Sequence, residues 1–255
     1  MNDNWKVWDN MPEYGDNFHA RITGEKNEME SSKSLAHLLQ EIISKDDLIL
    51  DVGCGAGHYL KSLDNILKKP FNYHGVDATN YYIKLANKAY SNFNLNTCRK
   101  KEFSISDIYE LNIEDEYSNI TICNNVLLHL PEIDKALAEL VRVTKKTIII
   151  RTLVGDSSFR IKQIREEEEY NEVGEPINFH FFNIYSKTYF NKLAEKYSLK
   201  IQIIPDTNFD PKNIGKSNYE KSERPFDLTT IQNGYQVNKY IISPWCFIKL
   251  EKKNV

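Results

Sequence analysis

Residues 51–57 read Asp51-Val52-Gly53-Cys54-Gly55-Ala56-Gly57. They close an apolar run, Asp47 to Val52 (DLILDV), and open a stretch from His58 to Leu67 suited to a helix. A strand that feeds a helix through a glycine-rich turn is the opening unit of a parallel α/β sheet. Glycine turns the backbone tightly and lets a ligand approach with no Cβ in the way, and the helix start behind it offers unpaired N–H groups. Spacing narrows the ligand. The dinucleotide fingerprint G-x-G-x-x-G, counted from Gly53, places its third glycine on His58. Here the glycines fall on alternate residues behind an acidic Asp51, so no pyrophosphate cradle is predicted.

Outward from this turn, β-branched runs alternate with helix-like stretches. Strands are expected at Tyr73–Asp77, Thr97–Phe103, Asn119–Cys123, Thr147–Leu153 and Leu199–Ile204, with helices at Asn80–Asn92, Pro131–Val143 and, N-capped by Ser186, Lys187–Tyr197. Pro131 suits a first helical turn. A last strand, Tyr240–Leu250, is interrupted by Pro244, which cannot donate to a ladder and predicts a bulge or an edge position. Before the first strand a helix is expected from Ser31 to Ile43, preceded by an aromatic stretch (Trp5, Trp8, Tyr14, Phe18). That stretch reads as part of a cap over the ligand end of the sheet, its rings either lining a pocket or packing the cap down.

Bulk properties set limits. A chain of 255 residues, 41% hydrophobic and 27% charged, has a core and fits one large domain. A formal charge of −3 and a pI near 6.1 give no electrostatic case for nucleic acid. Cys54, Cys98, Cys123 and Cys246 form no C-x-x-C pair, which argues against zinc and against a disulfide framework. Neither a signal peptide nor a membrane span is predicted, and a reducing cytoplasm is the expected compartment. The run Glu166–Glu169 reads as a solvated face.

The glycine turn resembles motif I of class I S-adenosylmethionine-dependent methyltransferases, E/D-x-G-x-G-x-G, and the likeness continues in order through Leu153. It implies a doubly wound, Rossmann-like, mostly parallel seven-stranded sheet with helices on both faces. The single domain over 1–255 would then comprise an N-terminal helical cap (1–46), a cofactor-binding half (47–153) and a substrate-side half (154–255) with insertions at 154–185 and 205–234. Gly75-Val76-Asp77 matches the second strand, whose acidic residue accepts hydrogen bonds from the ribose hydroxyls, with Ala78 beside it. Ser106-Asp107-Ile108 is similar to the adenine-side segment, although Asp107 also reads as a turn residue. Asn124-Asn125-Val126-Leu127-Leu128-His129-Leu130-Pro131 is similar to the segment lining the methionine end, although the two asparagines also suit the end of a buried strand. Asp51, Gly53, Cys54, Gly55 and Gly57 belong to the loop itself, Cys54 as small filler and not as a nucleophile.

The implied reaction is in-line methyl transfer to O, N, S or C of an acceptor, with S-adenosylmethionine as cofactor and S-adenosylhomocysteine as product. A base is needed only where the acceptor must lose a proton. His129 and His180 are the candidates, each with a packing role as the alternative. Arg21 could hold the cofactor carboxylate by a bidentate pair, or lie at the surface. Residues 151–156, 178–186 and 242–245 look similar to bacterial methyltransferases of surface-polysaccharide synthesis, which points to a small-molecule acceptor, a sugar or nucleotide sugar first. A base N-methyltransferase of nucleic acid would show D/N/S-P-P-Y/F/W where this chain has Asn124-Asn125-Val126-Leu127, and an aminopropyltransferase would carry further carboxylates around the loop. The rival from another class is a module that binds S-adenosylmethionine or a partner protein without turnover.

Overall fold

The computed structural model describes Trp8 and residues 11–91, 93–164, 169–207, 229–232, 235–238 and 241–253. Trp5, Glu166 to Glu168 and most of the 205–234 stretch therefore lie outside the described residues. Chain order is α1 (Pro12–Thr23), α2 (Glu30–Gln40), β1 (Leu48–Val52), α3 (His58–Ile66), β2 (Phe71–Asp77), α4 (Asn80–Ser91), β3 (Cys98–Ile105), β4 (Ser118–Asn124), α5 (Asp134–Val143), β5 (Thr144–Gly155), β6 (Lys162–Ile164), β7 (Phe179–Phe181), β8 (Tyr185–Ser186), α6 (Lys187–Lys196), β9 (Leu199–Pro205), β10 (Thr229–Gln232), β11 (Tyr235–Asn238), β12 (Ile241–Ser243) and β13 (Trp245–Lys252).

Seven strands form the main path in the order β3-β2-β1-β4-β5-β13-β9, with the short β8 pairing β5 beside it. β1 to β5 run parallel, and β13 is antiparallel to both β5 and β9. The parallel strands read as continuous apolar runs because both of their faces are covered. Side-chain alternation assigns the faces. Ile49, Phe71, Tyr73, Ile122 and Ile149 pack under Leu35 and Leu39 of α2, Leu60 and Leu63 of α3, and Ala86 of α4. Leu50, Val52, Val76, Ile148 and Ile150 pack under Leu137 and Leu140 of α5 and Phe190 and Leu193 of α6. The doubly wound sheet with helices on both faces is thus present.

Three expectations are corrected. Pro131 does not open a helix: a 3₁₀ turn at Leu127–His129 comes first, and α5 begins at Asp134 after Ile133. The strand expected across Pro244 is two strands, β12 ending at Ser243 and β13 starting at Trp245. Nor is β13 an edge: it is inserted between β5 and β9, and Pro244 lies outside the ladder, its carbonyl accepting from Val154 N–H at 3.0 Å. Helix α1 was not expected. Its sequence carries Gly15 and little aliphatic residue, yet Tyr14, Phe18 and Ile22 fall four apart along one stripe. Gly15 is needed there because a Cβ would lie 2.5 Å from the Tyr82 ring of α4.

The N-terminal cap and the first insertion both reach the carboxyl ends of the parallel strands. Ile22 of α1 is buried in the core layer of α2 and α3. In the insertion β6 and β7 pair antiparallel, His180 opposite Gln163, and Asn183 N–H donates to Leu128 carbonyl beyond β4. Among the described residues no helix is long and apolar enough to cross a membrane.

Candidate active site

The glycine turn leaves β1 with φ of +77° at Gly53, +56° at Gly55 and +81° at Gly57. The N–H groups of Gly53 and Cys54 both donate to the Val76 carbonyl of β2, at 2.8 and 3.0 Å. A Cβ on Gly53 would lie 2.3 Å from Val126 Cγ2, and one on Gly55 3.0 Å from the Phe18 ring. Both glycines are therefore required by close approach as well as by conformation. Gly57 serves the interior instead: its Cβ direction is filled by Phe103 at 2.6 Å, and its carbonyl accepts from Tyr90 hydroxyl at 3.0 Å.

Asp77, at the end of β2, binds this turn directly. One carboxylate oxygen accepts from Gly55 N–H at 2.8 Å and the other from Thr79 N–H at 2.9 Å, with exposed Ala78 between. Asp51, two residues ahead of Gly53, is buried and accepts from Tyr73 hydroxyl at 2.6 Å. Burial, outweighing the Tyr73 bond and reinforced by the nearby Asp77 charge, pushes its carboxyl up to about 7. Cys54 is buried too, its thiol pushed well up by burial and by Asp51 and Asp77, the opposite of an activated nucleophile.

At the third strand end, Asp107 accepts from Tyr109 N–H at 2.9 Å and so also acts as a turn residue. Ser106 hydroxyl accepts from Asn112 N–H at 2.9 Å, and Ile108 packs into the core beside Val52 and Val76. At the fourth strand end, the Asn124 side chain is buried with neither its amide nitrogen nor its oxygen hydrogen-bonded. Asn125 follows at φ +60°, and Val126 packs on Gly53.

His58, which the sequence offered only as the position where a glycine is missing, opens α3. It is buried with its Nδ1 unpaired. Burial first, then the Arg21 charge, hold it down to about 3, so it is neutral. Arg21, half-buried on α1, donates to Asn27 carbonyl at 2.5 Å.

The two histidines predicted as bases lie together. Their ring centroids are 6.0 Å apart, and Trp8 sits against both, at 4.8 Å from His129 and 6.3 Å from His180. Tyr14 adjoins Trp8 at 5.1 Å and Phe18 at 4.7 Å, which joins this aromatic group to the glycine turn. His129 Nδ1–H donates to Phe181 carbonyl at 2.8 Å. Burial, with a smaller contribution from His180, holds the imidazole down to about 4. At neutral pH the unprotonated nitrogen is therefore Nε2. Val126, Arg151 and Trp245, which fall in segments whose resemblance the sequence showed without giving any of them a role of its own, also surround the strand ends, and so does Tyr59, which sequence reasoning missed because its partners Ser31 and Asn125 are remote in the chain. Among the described residues no group of three or more His, Cys, Asp or Glu is placed to hold a metal.

The arrangement is similar to known proteins at two levels. The profile of a family described as methyltransferase domain matches residues 43–228. A crystal structure of an S-adenosylmethionine-dependent methyltransferase from Methanosarcina mazei superposes with a TM-score of 0.56 at 18% identity, covering 84% of this chain and 96% of that one. Phosphoethanolamine N-methyltransferase 2 of Haemonchus contortus, in complex with S-adenosylmethionine, gives 0.65 at 14% identity over 98% of this chain and 60% of that one. The cyclase SpnF gives 0.57 at 14% identity over 88% and 81%. At these identities the superpositions speak for the fold alone. No curated protein sequence gives a match.

Proposed function

The chain belongs to the methyltransferase-domain family as a class I S-adenosylmethionine-dependent enzyme, and from that premise we propose that it methylates an oxygen or nitrogen of a small molecule, a sugar or nucleotide sugar first among acceptors. The observation that carries the cofactor site is Asn124: a buried amide with both polar atoms unpaired is costly, and it ends β4 two residues before Val126, which packs on Gly53. A group carrying both donors and acceptors, such as an α-amino acid, satisfies it.

In this reading Gly53, Cys54, Gly55, Asn124 and Arg21 hold the amino-acid end, with Asn125 behind Asn124 and its amide engaged by Arg151 and Tyr59, Asp77 and Ala78 hold the ribose side, and Asp107 the adenine side. Ser106, Ile108, Gly57 and Asp51 support those positions from behind, their polar atoms or side chains being engaged in the interior. S-adenosylmethionine supplies a methyl group already activated for displacement. The protein's part is to orient the acceptor and exclude water. Trp8 and Tyr14 form the water-excluding wall. His129 is the base: its Nδ1–H is fixed on Phe181 carbonyl, its Nε2 is unprotonated, and it can take the proton of a hydroxyl or amine. His180 is the second candidate. The acceptor preference rests on the resemblance of residues 151–156, 178–186 and 242–245 to surface-polysaccharide methyltransferases.

Calorimetric titration with S-adenosylhomocysteine tests the site, with Gly55→Val beside the wild type. Wild-type binding in the micromolar range, lost when a branched side chain enters at φ +56° against Phe18, is the expected result. A screen of nucleotide sugars and small hydroxylated metabolites for methyl transfer follows. Binding with no transfer to any acceptor would favour the non-catalytic module instead.

A further inference from the structure

Arg151 is the most deeply buried arginine of the described residues and is given no role of its own in the proposed cofactor site. It lies on β5, 4% exposed, one register step from the cofactor side. Its Nε donates to Asp206 Oδ2 at 2.7 Å, just past β9, and its guanidinium stacks 4.0 Å from the Trp245 ring at the start of β13. Its Nη1 donates to Asn125 Oδ1 at 2.6 Å, and its carbonyl accepts from Asn125 N–H at 2.9 Å. The other end of the Asn125 amide donates to Tyr59 hydroxyl on α3 at 3.3 Å, which in turn donates to Ser31 on α2 at 2.9 Å.

Asn125 is thus gripped on both sides in a left-handed conformation that a non-glycine residue rarely adopts. That conformation sets the direction in which Asn124 leaves β4 and Val126 returns onto Gly53. A buried arginine–aspartate pair is a poor source of stability in itself, because desolvation offsets most of the attraction, and its better-attested use is to impose one arrangement. Here it has one partner to arrange on the ligand side, Asn125.

Building on the cofactor site proposed above, we infer that Arg151 is a positioning residue: it holds Asn125 in the left-handed turn and so presents Asn124 to the amino-acid end of the cofactor. Asp206 and Trp245 fix the guanidinium, and Arg151 itself need not touch the ligand.

Two variants cut the tether at different points. Asn125→Gly keeps the turn, since glycine adopts positive φ without strain, but has no amide for Arg151 to hold. The paired change Arg151→Met with Asp206→Leu removes the charges together, leaving no lone buried charge to unfold the protein. S-adenosylhomocysteine affinity is measured by calorimetry and folding by the thermal midpoint of the unliganded protein. The expected result is folded variants that each bind about tenfold more weakly, the loss of one charge-assisted hydrogen bond's worth of ordering. Combining them adds no further loss, because both break one connection. Folded variants that bind as the wild type does, or losses that simply add, would overturn the inference. A wild type that gives no heat would instead remove the cofactor site on which it rests.

Discussion

The Phe18 ring of α1 lies parallel to the His58 imidazole of α3, centroids 3.9 Å apart and planes 4° apart, with the same ring edge 3.0 Å from where a Gly55 Cβ would be. One aromatic side chain thereby covers both the glycine turn and the first residue of the helix behind it. Phe18→Ala uncovers both. The expected cost is roughly 1–3 kcal/mol, below that of a fully buried phenylalanine because the ring is half-buried. Urea unfolding measures it; an unchanged midpoint would mean that α1 is only loosely attached.

Asp77 accepts from the Gly55 and Thr79 N–H groups, and in the proposed site it takes the ribose hydroxyls. Asp77→Ala is expected to weaken S-adenosylhomocysteine by roughly 1.5–3 kcal/mol, about 10- to 150-fold. Asp77→Asn, which keeps one acceptor oxygen, should fall between. Calorimetry on the three proteins orders them, and equal affinities would place the ribose elsewhere.

Asp51 gives the protein a pH dependence of definite sign. Its carboxyl is held near 7 against an ordinary 3.8, so the folded state binds a proton that the unfolded state has released. The stabilisation is complete below the ordinary value and is lost as pH rises through 7. Asp51→Asn keeps an acceptor for Tyr73 hydroxyl and does not titrate. Between pH 5 and pH 8 the wild type should therefore lose about 2–3 kcal/mol relative to this variant. Urea midpoints of both proteins at the two pH values decide it; a constant gap would show Asp51 to be ionised throughout.

His129→Asn separates packing from proton transfer. An asparagine amide can still donate to Phe181 carbonyl but has no basic nitrogen. Once an acceptor is found, methyl transfer should drop about 10²–10⁴-fold while S-adenosylhomocysteine affinity changes little. Loss of affinity together with rate would assign His129 to the cofactor pocket.

What could be read in advance followed the range of the interactions. The strand–turn–helix at 47–67, the Ser186 cap and the Asp77 strand end are local, written in glycine spacing, capping chemistry and apolar runs. Helix α1 escaped because its apolar stripe is aromatic and interrupted by Gly15, whose reason, the Tyr82 ring, is 67 residues away. Pro244 misled because a proline within an apolar run marks a boundary as readily as an edge. His129 and His180 could be named singly, yet nothing in the sequence sets them 6.0 Å apart. The Arg151 grip on Asn125 joins four elements and leaves no pattern along the chain.

The insertion of β13 between β5 and β9 bears on how the molecule is made. Until Trp245 to Lys252 arrive, β9 has no neighbour on the sheet and the edge of β5 next to it is open. On a ribosome the strands from β1 to β5 can pair as they emerge, but the last two strands of the path, β13 and β9, must wait. During that interval Ile148 and Ile150 of β5 lack the Leu250 and Ile248 that adjoin them in the finished sheet, and an unpaired edge is a template for wrong partners. Nascent chains in which β9 has emerged and Trp245 to Lys252 have not are therefore the ones expected to need a chaperone.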